Sequence, residues 1–364
     1  MQSNKINVLM ISYGRGALYE NKAGVLDRHK EYSNHFESLK ILYLTKSKLE
    51  NLNFGKLKVT PVFGYSYLIC LFKSLFKNYR GYQIVTTQDP FITGILGLYY
   101  KKRFGIKLHV QNHSNFIDNR YWINENKIRN TLLNFIAKKK VLPSANRLRV
   151  VNSFEKQVYI RNLNIPENKI DIAPIAVNSI FYSDVSENEI SNFIEKYSID
   201  RNKIILGWAG RFVRLKRLDY LFELVASLKN TIDTQLVLAG DYNNSDFDLE
   251  FLEKKYSLKP IYTGQLRPED LLKLYKTINV FILTSEYEGY GVVLKEALVT
   301  GCPVLVSDNS MGPKDIIKQD SNGYLFSNYF EFQEKINHIL NNKVSKNKNR
   351  PTQEIIIESI KNTL

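Results

Sequence analysis

The sequence predicts an α/β protein made of two doubly wound, Rossmann-like halves, and three observations lead there. At 364 residues the chain exceeds what one core ordinarily serves, so about two domains are expected. Short β-rich runs alternate with helical patterns of roughly ten residues along both halves. The strand candidates are apolar nearly throughout, as in a parallel sheet covered on both faces.

In the first half KINVLMIS (5–12), LKILYL (39–44), YQIVTT (82–87), IKLHVQN (106–112) and NRLRVVN (146–152) read as strands. Helices fit 22–36, 66–79, 91–104, 124–141 and 153–162. Periodicity fades through IAPIAVNSIFYSDVSENEIS, which places a boundary near 175–200. Beyond it KIILGWA (203–209), QLVLAG (235–240), PIYTG (260–264), NVFILT (279–284) and PVLVS (303–307) are strands. Helical patterns such as RLDYLFELVASLKN and PEDLLKLYKT lie between them. The expected division is 1–180, 181–345 and a tail of 346–364. In that tail NNKVSKNKNR reads as a solvated linker and QEIIIESIKN as a short final helix. No short-period repeat is present, and the halves share an architecture, not a sequence.

Apolar residues make up 44% and charged residues 24% of the chain, the proportions of a soluble globular protein. The apolar stretch in MQSNKINVLMISYG is too short for a signal peptide or a membrane span. Cys70 and Cys302 lack metal-type spacing and imply no disulfide framework. Cys302, beside Pro303 in an apolar run, reads as a buried small residue. A cytoplasmic protein is expected. The net charge of +15 is unevenly placed: residues 1–180 hold 28 basic against 11 acidic side chains, and the rest hold 23 against 25. That asymmetry concerns the partner surface of the first half.

Glu288 and Glu296 stand eight positions apart in EGYGVVLKEALVTGCPV, the stretch most informative about function. A carboxylate precedes a Gly-Tyr-Gly turn, and a helix carrying a second carboxylate follows. Glycines admit close approach of a ligand to the backbone, and a helix N-terminus offers N–H groups to an anion. The arrangement suits a nucleotide-sugar, with hydroxyls at both ends and a diphosphate between. Ligands of open parallel sheets bind beyond the C-terminal strand ends. Gly14 and Gly16, His113, Arg211 and Glu288 all follow predicted strands, so both halves are expected to line a crevice between domains.

With these pieces placed, the chain resembles the retaining glycosyltransferases of family four, which have the GT-B fold, two Rossmann-like domains facing across a cleft. The resemblance covers nearly the whole length and rests on GRFVRLKRLDYL (210–221), YTGQL (262–266), SEYEGYGVVLKEALVTGCPVLVS (285–307) and GPKDIIKQDSNGYLF (312–326). It implies sugar transfer from a nucleoside diphosphate donor with retained anomeric configuration, no cofactor and no required metal. Arg211 and Lys216 match the basic pair that grips the diphosphate. Glu288 matches the acidic residue facing the donor sugar, and Glu296 the one that accepts from the ribose diol. Gly291, Val292 and Val293 match positions whose amides approach phosphate and sugar, and Gly289 belongs to the same donor-binding turn. His113 matches a histidine that reaches the donor sugar. Gly14 and Gly16 match a loop over the diphosphate, although SYGRGA departs from the usual Gly-Gly pairing. Residues 262–265 are expected near the base.

Plainer readings compete. Arg211 and Lys216 taken singly read as surface charge, and a lone histidine such as His113 as a rim residue; placement after buried strands favours the site. Asp246-Phe247-Asp248 forms a D-x-D, but opening a helix it reads as capping. His113 with Asp118 lacks a third metal ligand. Asp89 reads as a turn residue before a helix. YSYLICLFKSLFKNYRGY (65–82) and LLNFIAKKKVL (132–142) combine apolar stripes with cations, as on an anionic membrane surface; the alternative is a core helix with a solvated basic edge. In the resembled family the N-terminal domain takes the acceptor, here a glycan or lipid-linked one. A nucleotide-sugar epimerase on the same fold is the alternative enzyme. A nucleic-acid binder is disfavoured by the absence of a basic, aromatic-interleaved stripe and by the acidic second half.

Overall fold

The computed structural model describes residues 6–14, 16, 18–21, 25–113, 116–117, 119–175, 177–309, 312–317, 323–342 and 353–363. The chain divides into two compact units, Met1–Ala176 with Pro351–Leu364, and Val177–Arg350.

The first unit contains strands β1 (Asn7–Gly14), β2 (Ser38–Thr45), β3 (Leu52–Phe54), β4 (Leu57–Phe63), β5 (Ile84–Thr87), β6 (Lys107–Gln111), β7 (Arg147–Val150) and β8 (Ile170–Ile172). Its helices are α1 (Val25–Ser33), α2 (Tyr67–Leu75), α3 (Ile92–Phe104), α4 (Arg120–Glu125), α5 (Lys127–Ile136), α6 (Leu142–Ser144) and α7 (Ser153–Leu163). The sheet order is β3-β4-β2-β1-β5-β6-β7-β8, parallel except for the β3–β4 hairpin. Alternate residues of β1 serve opposite faces, as a strand's two-residue period demands. Leu9 and Ile11 join the core beneath α2 and α3, while Val8 and Met10 join a second core beneath α1.

Local signals place the helix ends. Ser66 accepts from the Ile69 amide before α2, and Asn152 from the Glu155 amide before α7. Gly105, left-handed at φ 71°, closes α3. The single helix expected over 124–141 is broken into three parts. Asn126 starts α5 afresh by accepting from Arg129, and a π turn over Ala137–Val141 precedes α6, where Pro143 has no amide hydrogen for the ladder. The β3–β4 hairpin and β8 were not expected from the sequence. Pro61 lies inside β4, but β3 pairs only with Leu57–Val59, so Pro61 lies beyond the reach of that partner.

The second unit contains β9 (Ile204–Ala209), β10 (Thr234–Ala239), β11 (Ile261–Gly264), β12 (Val280–Leu283), β13 (Val304–Ser307) and β14 (Gly323–Phe326). The helices are α8 (Glu187–Lys196), α9 (Leu218–Ala226), α10 (Leu249–Tyr256), α11 (Pro268–Thr277), α12 (Val292–Thr300) and α13 (Tyr329–Asn341). All six strands are parallel, in the order β11-β10-β9-β12-β13-β14. The expected strands are present; β14 is an addition. Trp208, Phe222, Leu238, Ile282 and Phe332 fill the core, and Cys302 is buried as expected. Asp248 caps α10 by accepting from Phe251, and Asp246 accepts from the Arg214 amide, so the D-x-D is structural. Most of the predicted linker lies outside the described residues.

The final helix, α14 (Gln353–Lys361), belongs to the first unit. Ile357 and Ile360 are buried in the core shared with Val8, Met10 and Ala173, α14 packs along β7, and Ser359 enters a buried polar chain. The Ser359 hydroxyl donates to Asp171 at 2.6 Å and meets His109 Nε2 at 3.1 Å, while Arg147 grips Asp171 through two nitrogens at 2.7 Å. The bidentate Arg147 grip fixes the carboxylate that the helix meets through Ser359. Ile360→Ala is expected to destabilise the first unit by about 2–4 kcal/mol through a lost core side chain and the cavity it leaves. Urea unfolding followed by Trp122 fluorescence in a Trp208→Phe background measures this, and an unshifted midpoint would contradict the docking described.

Candidate functional site

In the second unit β9 lies between β10 and β12. From β9 the chain moves outward to β10 and β11, then returns to β12 on the other side. Loops leaving the C-terminal ends of β9 and β12 therefore diverge, and such a switch point is where open α/β sheets hold ligands. Arg211 and Lys216 follow β9, and Glu288 follows β12.

The loop after β9 is tightly held. Gly240, left-handed at φ 149°, lies so close to the Gly210 carbonyl that a Cβ would collide with it. A 3-10 turn over Arg214–Lys216 ends at Arg217, a non-glycine residue at φ 51°, ψ 50° that also starts α9. Three contacts stitch this turn to the segment after β12. The Glu286 amide donates to the Leu215 carbonyl at 2.9 Å, and the Thr284 hydroxyl to the Lys216 carbonyl at 3.0 Å. The Lys216 ammonium pairs with the Glu288 carboxylate. These two side chains are only 13% and 15% exposed, so salt screens their charges less than it would at the surface. Arg211 is exposed on the same loop and has no ion pair among the described residues.

The Glu288 segment runs into α12 through Gly289 and Gly291. Gly291 is left-handed at φ 79°, and among the described residues no side chain caps the amides that follow, beginning with Val292 and Val293. Uncapped first-turn N–H groups and the helix dipole together favour an anion. Gly312 packs against this turn from a later segment. Its amide donates to the Glu288 carbonyl at 3.2 Å, and a Cβ there would collide with the carbonyls of Glu288 and Gly289. Glu296 sits one turn along α12, half-buried, with the Tyr275 hydroxyl donating to it at 3.4 Å. Burial raises its pKa to about 7 despite that hydrogen bond. Tyr262 is half-buried; its hydroxyl donates to Glu253 at 2.7 Å and its ring lies 5.3 Å from that of Tyr242.

In the first unit the corresponding switch lies at β1, flanked by β2 and β5. Gly14 closes β1 where a Cβ would strike the Tyr43 hydroxyl, and that hydroxyl accepts from the Gly16 amide at 3.2 Å. Gly16, at φ 137°, turns the chain so that its carbonyl accepts from Tyr19 and Glu20. His113 follows β6, its Nε2 3.1 Å from the Gln88 side-chain oxygen. Burial, with Arg149 and Arg28, lowers its pKa to about 3, which leaves it neutral. Asp118 lies outside the described residues. Asp89 is buried and accepts from the Phe91 amide and Thr93 hydroxyl at the start of α3.

The structure thus joins Lys216, Glu288 and the α12 N-terminus, and sets Glu296 one turn farther along the same helix. Gly14, Gly16 and His113 lie at strand ends of the first unit. Thr284, Tyr275 and Gly312 support the site without having been singled out as site residues. Gly312 stood in a recognised motif, whereas Tyr275 looked like an ordinary apolar helix position. Among the described residues no group of three or more His, Cys, Asp or Glu could hold a metal ion.

Residues 189–359 match the family described as glycosyl transferases group 1. The poly(ribitol-phosphate) alpha-N-acetylglucosaminyltransferase of Staphylococcus aureus is 28% identical over 262 residues, 67% of this chain and 44% of the relative. The chain spans less than half the length of the curated relatives it matches. Sucrose-phosphate synthase from Thermosynechococcus elongatus aligns over 99% of this chain and 93% of its own, with a TM-score of 0.73 and 18% identity. Anabaena HepE, solved in complex with UDP-glucose, aligns over 98% of this chain and 93% of its own, with a TM-score of 0.68 and 14% identity. These likenesses establish the GT-B fold of two Rossmann-like domains. The match to the group 1 glycosyl transferases spans residues 189–359, which takes in most of the second unit.

Proposed function

We propose that this protein is a retaining, metal-independent glycosyltransferase. It moves a hexose-type sugar from a nucleoside diphosphate donor to a glycan or lipid-linked acceptor in the synthesis of cell-surface polysaccharide or glycolipid. One observation carries the reading: the Lys216–Glu288 pair beside the uncapped start of α12, at the switch point of the second sheet. The nucleotide-sugar complex of a neighbour with the same fold supports the donor class.

Breaking the sugar–phosphate bond builds positive charge at the anomeric carbon and negative charge on the departing diphosphate. Arg211, Lys216 and the amides of Val292 and Val293 stabilise that negative charge without reorganising, which lowers the barrier. Arg supplies a planar fork and Lys a point charge, suited to two linked phosphates. In binding the donor, Lys216 shares its charge between Glu288 and phosphate, while Glu288 accepts from sugar hydroxyls. Glu296 accepts from the ribose diol. His113, being neutral, serves the sugar as a hydrogen-bond partner, not as an acid. The acceptor oxygen bonds to the anomeric carbon on the face the phosphate leaves, and the acceptor proton passes to a phosphate oxygen. Residues 262–265 are proposed to meet the base.

Peripheral contact with an anionic membrane is the second part of the proposal. Leu68, Phe72 and Phe76 form an exposed stripe along α2 and its end, and Ile128, Leu132 and Phe135 form another along α5. The second stripe starts earlier than LLNFIAKKKVL suggested, because Ala137, Val141 and Leu142 are buried. Lys73, Lys77, Lys127 and Lys138 lie on or beside these helices. Apolar stripes flanked by cations suit an interface with anionic lipid. Among the described residues no helix is long and apolar enough to cross a membrane.

Lys216→Ala is expected to lower turnover more than about a hundredfold, measured as donor-derived product with folding checked by circular dichroism. Near-normal kinetics would sink the assigned site. Glu296 binds the diol as a carboxylate but is protonated below about pH 7 in the free protein. Affinity for the best donor in a thermal-shift panel of UDP-, GDP- and dTDP-sugars should therefore fall as pH drops through that value. Such diesters do not themselves titrate there. Glu296→Gln should flatten the profile, and a pH-independent affinity in the unaltered protein would remove Glu296 from the diol. Sedimentation with phosphatidylglycerol vesicles at low salt should recover the protein, and Phe72→Glu with Phe76→Glu should abolish recovery. Equal recovery with neutral vesicles would reject the membrane contact.

A further inference from the structure

The C-terminal edge of the first sheet gathers rings and cations that the donor reading does not use. Tyr13, next to last in β1, is 42% exposed, and its ring stands edge-on to that of Tyr67 at the start of α2, centroids 5.2 Å apart. Lys46, just after β2, holds its ammonium 5.2 Å from the Tyr67 ring centroid. Tyr65, beyond β4, is 82% exposed, so three tyrosines from the ends of β1 and β4 lie at one edge, with Lys46 from the end of β2.

The local charge is positive. Arg129 on α5 acts on the Tyr13 hydroxyl against burial, which pushes that hydroxyl up to about 12. The carboxylate acting on the same hydroxyl, Asp89, is buried and committed to the start of α3. Among the described residues no acid pairs with Lys46 or Arg129, both of which are exposed. Tyrosine rings bury the C–H face of a sugar or polyol at little entropic cost, and a cation at their rim then selects a neighbouring anion. The apolar stripe of α2 runs through Leu68, Phe72 and Phe76, a different set of side chains from Tyr67.

We infer that Tyr13, Tyr67, Lys46 and Arg129 form an acceptor subsite for a sugar or polyol unit bearing a phosphate or carboxylate. Its role as an acceptor site rests on the transferase reading; its ligand chemistry rests on the rings and cations alone.

Calorimetric titration of the whole protein at low ionic strength tests it with three soluble probes: a ribitol phosphate oligomer, a hyaluronan tetrasaccharide and maltotetraose. Either anionic probe should bind at least about tenfold more tightly than maltotetraose, and the tighter of the two identifies phosphate or carboxylate as the preferred anion. Lys46→Gln should remove about tenfold of that preference and Lys46→Arg should keep it, while Tyr67→Leu should weaken all three probes. Melting curves of each variant confirm folding. Equal affinity for the three probes, or an unchanged preference in Lys46→Gln, overturns the inference. So does binding to phosphatidylglycerol vesicles through these residues with no binding to soluble probes, since that would assign them to a lipid surface. UDP-glucose binding and hydrolysis by the unaltered protein report on the transferase reading separately, so the two can fail independently.

Discussion

The placement of β9 between β10 and β12 is the constraint on which the second unit's chemistry depends. Lys216 and Glu288 lie 72 positions apart, yet both leave the sheet at neighbouring strand ends. The chain must pass through β10 and β11 before returning, so no local pattern could bring them together. Once there, the left-handed Arg217 and the hydrogen bonds of Glu286 and Thr284 set one loop against the other. Gly312 finishes the arrangement from below, where any side chain would displace the two carbonyls beside the carboxylate.

Much of this was legible because it follows from local pattern. Buried parallel strands announce themselves as unbroken apolar runs, and glycines directly after them mark close backbone approach. KIILGWAGR and NVFILTSEYEGYG combine both signals, so the fold class and the strand ends carrying Arg211 and Glu288 could be approached from residues alone, whereas Lys216 entered through the family resemblance. What stayed hidden depends on distant partners or on broken periodicity. The β3–β4 hairpin carries Pro61 and alternating lysines, which disguise a strand. The helix over 124–141 looked continuous because its apolar spacing hides the restart at Asn126 and the widened turn before Pro143. Tyr275 and Gly312 gain their meaning only from what folds against them.

The basic excess of the first half also divides once its side chains are placed. Arg149 is buried and spends its nitrogens on Gln111 and on the carbonyls of Ala173 and Pro174. Arg147 is committed to Asp171, and Lys101 to Ser144 and Asn146. These cations hold loops and strand ends in place. The charge available to a partner is thus concentrated in exposed side chains such as Lys46, Lys73 and Arg129. A net count of charges could not separate the two groups.

The return of α14 to the first unit has a consequence for biosynthesis. During translation the strands of that unit emerge first and α1 can cover Val8 and Met10, but the stretch of that face over β6, β7 and β8 lacks its helix until Ile357 and Ile360 leave the ribosome. Nearly the whole second unit is made in the interval and can condense on its own sheet, as successive domains generally do. The nascent first sheet must therefore wait with part of one side exposed, which makes that stretch the portion of the newborn chain most in need of chaperone protection.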